Sequence, residues 1–197
     1  MNVVVIRYGA GNIQSVLFAL ERIGVTPTLS SDPEVIAKAD KVIFPGVGEA
    51  SSTMKELKAS GLDKTIKSLK QPILGICLGM QLMCKHSEEG DVDCLDIFDL
   101  EVKKLQPSTD LKVPHVGWDA VCNMQGHLFK GCKETEFMYY VHSYYAVPKP
   151  GNEVCGITSY ITTITAAIMK DNFYAVQFHP EKSGARGELI LKNFIEL

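Results

Sequence analysis

Cys77 stands where a cysteine can act as a nucleophile. It closes an apolar run of strand length, Pro72-Ile73-Leu74-Gly75-Ile76. Glycines lie two residues before it and two after, at Gly75 and Gly79, and a helix-compatible stretch follows from Leu78 to Lys85. This is the pattern of a nucleophile elbow, G-x-S-x-G with cysteine in place of serine. The turn leaves room only for small residues beside the nucleophile and aims the N-terminus of the next helix at the sulfur. The helix dipole and its free N–H groups there favour a thiolate and, later, an oxyanion. By itself the motif is equally compatible with a buried structural cysteine beside a packing glycine.

A thiolate needs a base, and the base needs an orienting group. Val176-Gln177-Phe178-His179-Pro180-Glu181 supplies both. In extended backbone, residues two apart point the same way, so Glu181 can accept from one imidazole nitrogen of His179 while the other faces the sulfur. Pro180 restrains that geometry. A tetrahedral intermediate also needs N–H donors. The Leu78 amide, just after the nucleophile, is one. An amide of Val47 or Gly48, in the glycine-rich Pro45-Gly46-Val47-Gly48, is the other, and losing one such donor typically costs about 3–4 kcal/mol.

The surrounding pattern brings these segments to one edge. Strands are expected at Val3–Ile6, Thr26–Leu29, Lys41–Phe44 and up to Cys77, alternating with helices. The first helix has apolar positions at Ile13, Val16, Leu17, Leu20 and Ile23, with Asn12 as cap and Gly24 as stop. A short helix follows Asp32-Pro33 and ends near Ala39. Further helices span Ser51–Ala59 and Asp63–Leu69. Such alternation implies parallel βαβ units with ligands at the carboxyl ends of the strands, where Gly9–Asn12, Gly46–Gly48 and Cys77 become neighbours. The Gly9-Ala10-Gly11 turn lacks the third glycine of a dinucleotide fingerprint, because Gln14 stands there, and so reads as a plain βα turn.

Beyond the elbow helix, Ser87–Asp93 reads as an acidic loop. The β-type segments Leu100–Leu105, Val113–Val116, Phe137–Val147, Glu153–Ser159, Thr162–Met169 and Phe173–Phe178 read as an antiparallel extension of the same sheet, with no second domain. Pro148–Gly151 and Asp171-Asn172 are turn signals. A final helix from near Gly184 is expected to cover the sheet with Leu189, Ile190, Phe194 and Ile195. The expected architecture is therefore α/β, a flavodoxin-like three-layer fold with a mostly parallel central sheet, as one domain over residues 1–197.

Composition narrows the class. The chain has 197 residues, 46% hydrophobic and 22% charged, and a formal net charge of −3. This is ordinary for a soluble protein and gives no reason to expect nucleic acid or an anionic membrane as partner. No apolar run approaches a transmembrane span, and Met1–Arg7 reads as a first strand and not as a signal peptide. None of the six cysteines forms a C-x-x-C pair, so no metal site is expected. They read as reduced thiols of a cytoplasmic protein.

Taken together, Gly75-Ile76-Cys77-Leu78-Gly79-Met80-Gln81 and His179-Pro180-Glu181 resemble the signature of the class I (triad) glutamine amidotransferases. Within them the chain resembles the glutaminase subunits of imidazole glycerol phosphate synthase, through Tyr8-Gly9-Ala10-Gly11-Asn12, Pro45–Gly48, Pro114-His115-Val116-Gly117-Trp118 and Tyr140-Val141-His142-Ser143-Tyr144. Met80 supports that choice, since anthranilate-type and carbamoyl-phosphate relatives usually carry His there.

The resemblance implies that Cys77, His179 and Glu181 hydrolyse glutamine through a thioester, without a cofactor. It implies that Gly46, Gly48, Gln81, Glu89, Ser143 and Tyr144 hold the substrate. It implies a heterodimer in which ammonia passes to a (β/α)8 cyclase subunit of histidine biosynthesis, with Asn12, Trp118 and Lys182 at the interface. His115 and His142 read as structural. Arg7 and Asp119 depart from the acidic residue and the Asn common at these positions. The competing readings are an amidotransferase of another pathway, of anthranilate or aminodeoxychorismate type, and a catalytically idle regulatory subunit.

Overall fold

A computed structural model describes residues 1–9, 13–149 and 154–197. The chain runs β1 (Val3–Ile6), α1 (Ile13–Arg22), β2 (Thr28–Ser30), α2 (Pro33–Ala37), β3 (Lys41–Gly46), α3 (Ala50–Ser60), α4 (Leu62–Ser68), β4 (Ile73–Cys77) and α5 (Leu78–Met83). It continues through β5 (His86–Ser87), β6 (Val92–Asp93), β7 (Glu101–Lys104), β8 (His115–Val121), β9 (Glu136–His142) and β10 (Tyr144–Ala146). The last elements are β11 (Val154–Ser159), β12 (Thr163–Lys170), β13 (Phe173–Val176) and α6 (Gly184–Ile195).

Seven strands form the central sheet in the order β11-β12-β13-β4-β3-β1-β2. The five from β13 to β2 are parallel, and β12 and β11 add antiparallel to them. The strands that carry the site are buried on both faces, as parallel strands covered by helices must be. Alternate residues serve opposite layers. Val4 and Ile6 pack with Met54, Leu57, Ile66 and Met83 on the side of α3, α4 and α5. Val3 and Val5 pack with Val16, Leu20, Ile190 and Phe194 on the side of α1 and α6. This period of two produces the three layers.

Local chemistry sets the helix ends. The Asp32 side chain accepts from the Glu34 N–H, with Pro33 in the first turn. Glu49 caps α3 through the Ser51 and Ser52 N–H groups, and Gly24, at φ 82°, follows α1. The elbow helix stops at Met83, two residues short of the expected end, because Cys84 is already extended. In α6 Leu191 is buried beside Ile190 and Phe194, whereas Leu189 and Ile195 are only partly covered.

The second half departs from the expected extension of the sheet. Only β11 to β13 join the central sheet, and β13 pairs parallel to β4. The expected acidic loop Ser87–Asp93 is the connection of a short hairpin, β5 to β6, which joins β7 and β10 in a four-stranded sheet, and β8 pairs with β9 in a separate two-stranded sheet. The stretch Phe137–Val147 divides at Ser143 into strands of two different sheets. A run of aromatic and β-branched residues fixes extended backbone but not its partner, and β pairing is decided by non-local contacts. Strand β8 runs on to Val121 because it pairs residue for residue with β9, from His115 against His142 to Val121 against Glu136. The expected Asn12 cap, and residues 150–153 of the Pro148–Gly151 turn and the Glu153–Ser159 strand, lie outside the described residues.

Candidate active site

The elbow forms as its glycines require. Gly46 pairs with Cys77 in the β3–β4 register. The turn brings α5 so close to β3 that a Cβ on Gly79 would overlap the Phe44 carbonyl oxygen, and one on Gly75 would lie 3.0 Å from the Met80 nitrogen. Cys77 has φ 53° and ψ −108°, an uncommon conformation for a residue with a side chain. It is the last residue of β4 and precedes the first turn of α5. The Leu78 N–H therefore belongs to the orphan donors of a helix start, one residue beyond the thiol.

His179 follows β13, which lies beside β4. Its Nδ1 is 2.7 Å from Glu181 Oε1, and both side chains are buried. The contact does not come from extended backbone. Residues 180–182 form a 3-10 turn beginning at Pro180, which folds Glu181 back toward the ring. The Ser183 hydroxyl donates to the His179 carbonyl (2.6 Å), and the His179 N–H donates to the Tyr139 carbonyl (2.9 Å), fixing the turn to β9.

Because a carboxylate only accepts, Nδ1 carries a proton and Nε2 is the nitrogen left for another partner. His179 Nε2 is a buried atom with no hydrogen-bond partner. Burial alone would lower the pKa of His179. Interaction with the adjacent Cys77, and then with Glu181, outweighs it and lifts it to about 10.

A cleft of about 100 Å³ opens over the sulfur. Val47, Gly48, Cys77, Leu78, Gln81, Glu89, Ser143 and Tyr144 all line it, with Val141 and His142. Gly48 has φ 124°, a conformation that favours glycine, where the backbone turns at the end of β3. The Tyr8 hydroxyl anchors the same loop by donating to the Pro45 carbonyl, 2.5 Å away. Gly46 does not line the cleft. It lies beneath the elbow, against the Tyr8 hydroxyl and Leu78.

Glu89 accepts from the Ala50 N–H (2.8 Å), and burial raises its pKa against that bond, with Glu49 adding to the rise. A carboxylate so placed gains from a cationic ligand group. Gln81 Nε2 donates to the Tyr144 carbonyl (2.8 Å) and to Gln177 Oε1 (3.0 Å), so both its N–H groups are used and its Oε1 is left as an acceptor. Tyr144 thus enters the site through its backbone.

Sequence reasoning gave no role to Gln177. It is fully buried, and its Nε2 donates to Cys77 Sγ at 3.7 Å. The Val141 carbonyl lies 4.0 Å from the same sulfur. A glutamine two residues from a histidine carries no spacing signal; only the β13–β4 pairing brings it to the thiol.

Of the expected interface residues, Trp118 is 55% exposed, which rules out a core role. Lys182 is exposed, with Nζ 5.8 Å from the Tyr139 ring centroid. Asn12 lies outside the described residues. All six cysteines are free, and among the described residues no group of three or more His, Cys, Asp or Glu could hold a metal ion. No helix among the described residues is long and apolar enough to cross a membrane.

A parallel sheet with a cysteine elbow, a buried His–Glu pair and a glycine-turned loop over one cleft defines a triad amidotransferase. The family model for class-I glutamine amidotransferases matches residues 4–197, and the chain belongs to that family. It is 58% identical to the imidazole glycerol phosphate synthase subunit HisH of Bacteroides fragilis strain YCH46, over the whole of both chains. It is 46% identical to the subunit of the same name from Yersinia pseudotuberculosis, again over both full lengths. A solved glutamine amidotransferase superposes with a TM-score of 0.76, covering 99% of this chain and 98% of its own at 16% identity, which supports the fold.

Proposed function

We propose that the chain is the glutaminase subunit of an imidazole glycerol phosphate synthase. The Cys77 thiolate attacks the side-chain amide carbon of glutamine, forming a C–S bond. The oxyanion that develops is held by N–H groups of Leu78 and of the Val47–Gly48 segment. His179, as imidazolium, gives its Nε2 proton to the departing nitrogen as the C–N bond breaks, releasing ammonia. Neutral Nε2 then takes a proton from water, hydroxide attacks the thioester carbon, and the C–S bond breaks to give glutamate and free Cys77. Glu181 keeps the tautomer and stabilises the imidazolium. Gln81 Oε1 and Glu89 are suited to the α-ammonium group of the substrate.

Ammonia is mostly protonated at neutral pH, so a productive site needs a docked acceptor enzyme. The surface suited to it is the outer face of β8 and β9. Val116 (56% exposed), Trp118 and Phe137 (59%) stand there with Val141, and Val116 pairs with Val141 and Trp118 with Tyr139 in the strand register. This face is continuous with the catalytic turn through Tyr139 and Lys182. We take the partner to be a (β/α)8 cyclase. The chain then works as one domain in the cytoplasm, consistent with a small sheet whose Val102 and Ala146 share a core with β1 and β3.

The observation that carries this reading is the buried His179–Glu181 pair with Nε2 unoccupied, on the sheet edge that carries the Cys77 elbow. Glutamate release is to be measured with and without the cyclase and its nucleotide ligand. Release in the assembled pair supports the reading, and none under either condition refutes it.

A further inference from the structure

At the cleft wall, two buried histidines form a chain with a carboxylate at one end and a carbonyl at the other. His115 Nε2 is 3.3 Å from Asp119 Oδ2, His115 Nδ1 is 3.1 Å from His142 Nε2, and His142 Nδ1 is 2.8 Å from the Tyr144 carbonyl. That carbonyl is the one that also holds Gln81, whose other N–H holds Gln177 beside Cys77. The His115 ring lies between the rings of Tyr140 (4.8 Å) and Tyr160 (3.9 Å), nearly parallel to both, so it cannot turn over freely.

Counting protons exposes a conflict. Both ends of the chain only accept, so three contacts need three N–H groups, and two neutral imidazoles supply two. A neutral pair can put both protons on Nδ1. That serves Tyr144 and the histidine–histidine link but leaves a bare Nε2 against the Asp119 carboxylate. It can instead put both on Nε2, which serves Asp119 and leaves a bare Nδ1 against the Tyr144 carbonyl. Mixed placement on His115 Nε2 and His142 Nδ1 sets two lone pairs face to face at 3.1 Å. The carboxylate's charge favours the arrangement that releases Tyr144.

We propose that His115 and His142 are positioning residues of the glutamine site, and that the charge and proton content at Asp119 decide whether they hold the Tyr144 carbonyl and, through it, the Gln81 amide. This rests on the glutaminase reading and adds a control to it. A third proton, or a donor in place of the carboxylate, completes all three contacts. Asp119 is the accessible end, its side chain 28% exposed, next to Trp118 on the proposed docking strand.

The groups facing the pair agree with entry of the third proton at His115. From β8 there is only the Asp119 carboxylate. From β9 there is Tyr140, whose phenol is kept neutral by burial and shares a hydrogen bond with Thr158. The Tyr160 hydroxyl donates to the Lys112 carbonyl. His179 faces His142 from the catalytic turn. Burial lowers the pKa of His115 against the pull of Asp119. It holds His142 down to about 3, where the Tyr144 carbonyl resists and the charges of His115 and His179 add to the lowering. Near neutral pH the chain is therefore one proton short.

The test is glutamine affinity of the Cys77→Ala chain with the cyclase subunit present, with and without Asp119→Asn, from about pH 8 to about pH 5.5. The carboxamide that Asp119→Asn introduces can donate to His115 Nε2 without any added proton. The double variant is expected to bind glutamine about three- to tenfold more tightly at pH 8, the gap closing on acidification. Titration of Glu89 and of glutamine itself affects both proteins and cancels in the ratio. A ratio that does not change with pH overturns the proposal and leaves the glutaminase reading intact. No binding by Cys77→Ala at any pH counts against the reading itself, and the proposal falls with it. Ring nitrogen chemical shifts of the chain with native Asp119 give a second measurement that needs no foldable variant. His142 Nδ1 is expected to gain proton occupancy as pH falls; unchanged occupancy over that range overturns the proposal.

Discussion

Glu181 Oε1 lies 2.7 Å from His179 Nδ1, and both side chains are buried. The pair fixes which imidazole nitrogen works and makes the charged ring tolerable in a dry site. Glu181→Gln removes the charge and leaves the shape. Glutaminase kcat of the assembled enzyme is expected to fall roughly 10²–10⁴-fold with a much smaller change in KM, because orientation and charge of the acid are lost at the transition state. Steady-state kinetics check this; an equal loss in KM alone would place Glu181 in substrate binding.

The His179 pKa of about 10 has a sign that can be measured. It lies above the ordinary histidine value of about 6.5. The stabilisation is therefore fully present below about pH 6.5 and is lost as pH rises through about 10. In the proposed mechanism the imidazolium is also the acid that releases ammonia, so glutaminase activity is expected to persist on the alkaline side and decline toward pH 10. In Glu181→Gln the decline should start at lower pH. A pH–kcat profile of both proteins is the measurement.

Cys77→Ser keeps size and polarity but replaces thiolate with a poor nucleophile. Glutamine-dependent synthesis by the assembled enzyme is expected to be lost, with synthesis from added ammonium salts preserved. Both rates come from one assay with the nitrogen source exchanged. Loss of both would contradict the division of labour between the subunits.

Gly48 holds φ 124° in the loop that lines the cleft. Gly48→Ala forces that peptide to move or accept strain of about 1–3 kcal/mol. Glutaminase kcat is expected to fall by roughly 10²–10³, the loss typical of one oxyanion donor. Thermal unfolding and ammonium-dependent synthesis separate this loss from unfolding.

Trp118 is more than half exposed on a face with Val116, Phe137 and Val141. Trp118→Ala is expected to weaken cyclase binding at least tenfold, as for a buried aromatic anchor, without lowering the melting temperature of the free chain. Titration of the two subunits by calorimetry decides it. A melting temperature that drops with unchanged affinity would make Trp118 a support of β8.

Much of this molecule was legible in the order of its residues. Glycine spacing around Cys77, alternating strands and helices, and Asp32-Pro33 are local signals, set by backbone sterics and capping over a few residues. They located β1, β3, β4 and the helices between them within a residue or two. His179 and Glu181 were readable as a pair because they are two apart. Their geometry was not, because Pro180 opens a 3-10 turn where extended backbone was expected.

The sequence by itself determined the cysteine elbow, the neighbouring His179 and Glu181, and the carboxyl edge of the parallel sheet on which they stand, because each follows from short-range spacing and from the period of two along buried strands. Only the tertiary structure decided that Phe137–Val147 divides between two sheets, that Gln177 reaches the thiol, that Trp118 faces outward, and that Asp119, His115, His142 and Tyr144 form one chain at the cleft wall. These are contacts between residues as much as a hundred positions apart. They depend on which strands pair and in what register, and a pattern that fixes extended backbone does not fix its partner.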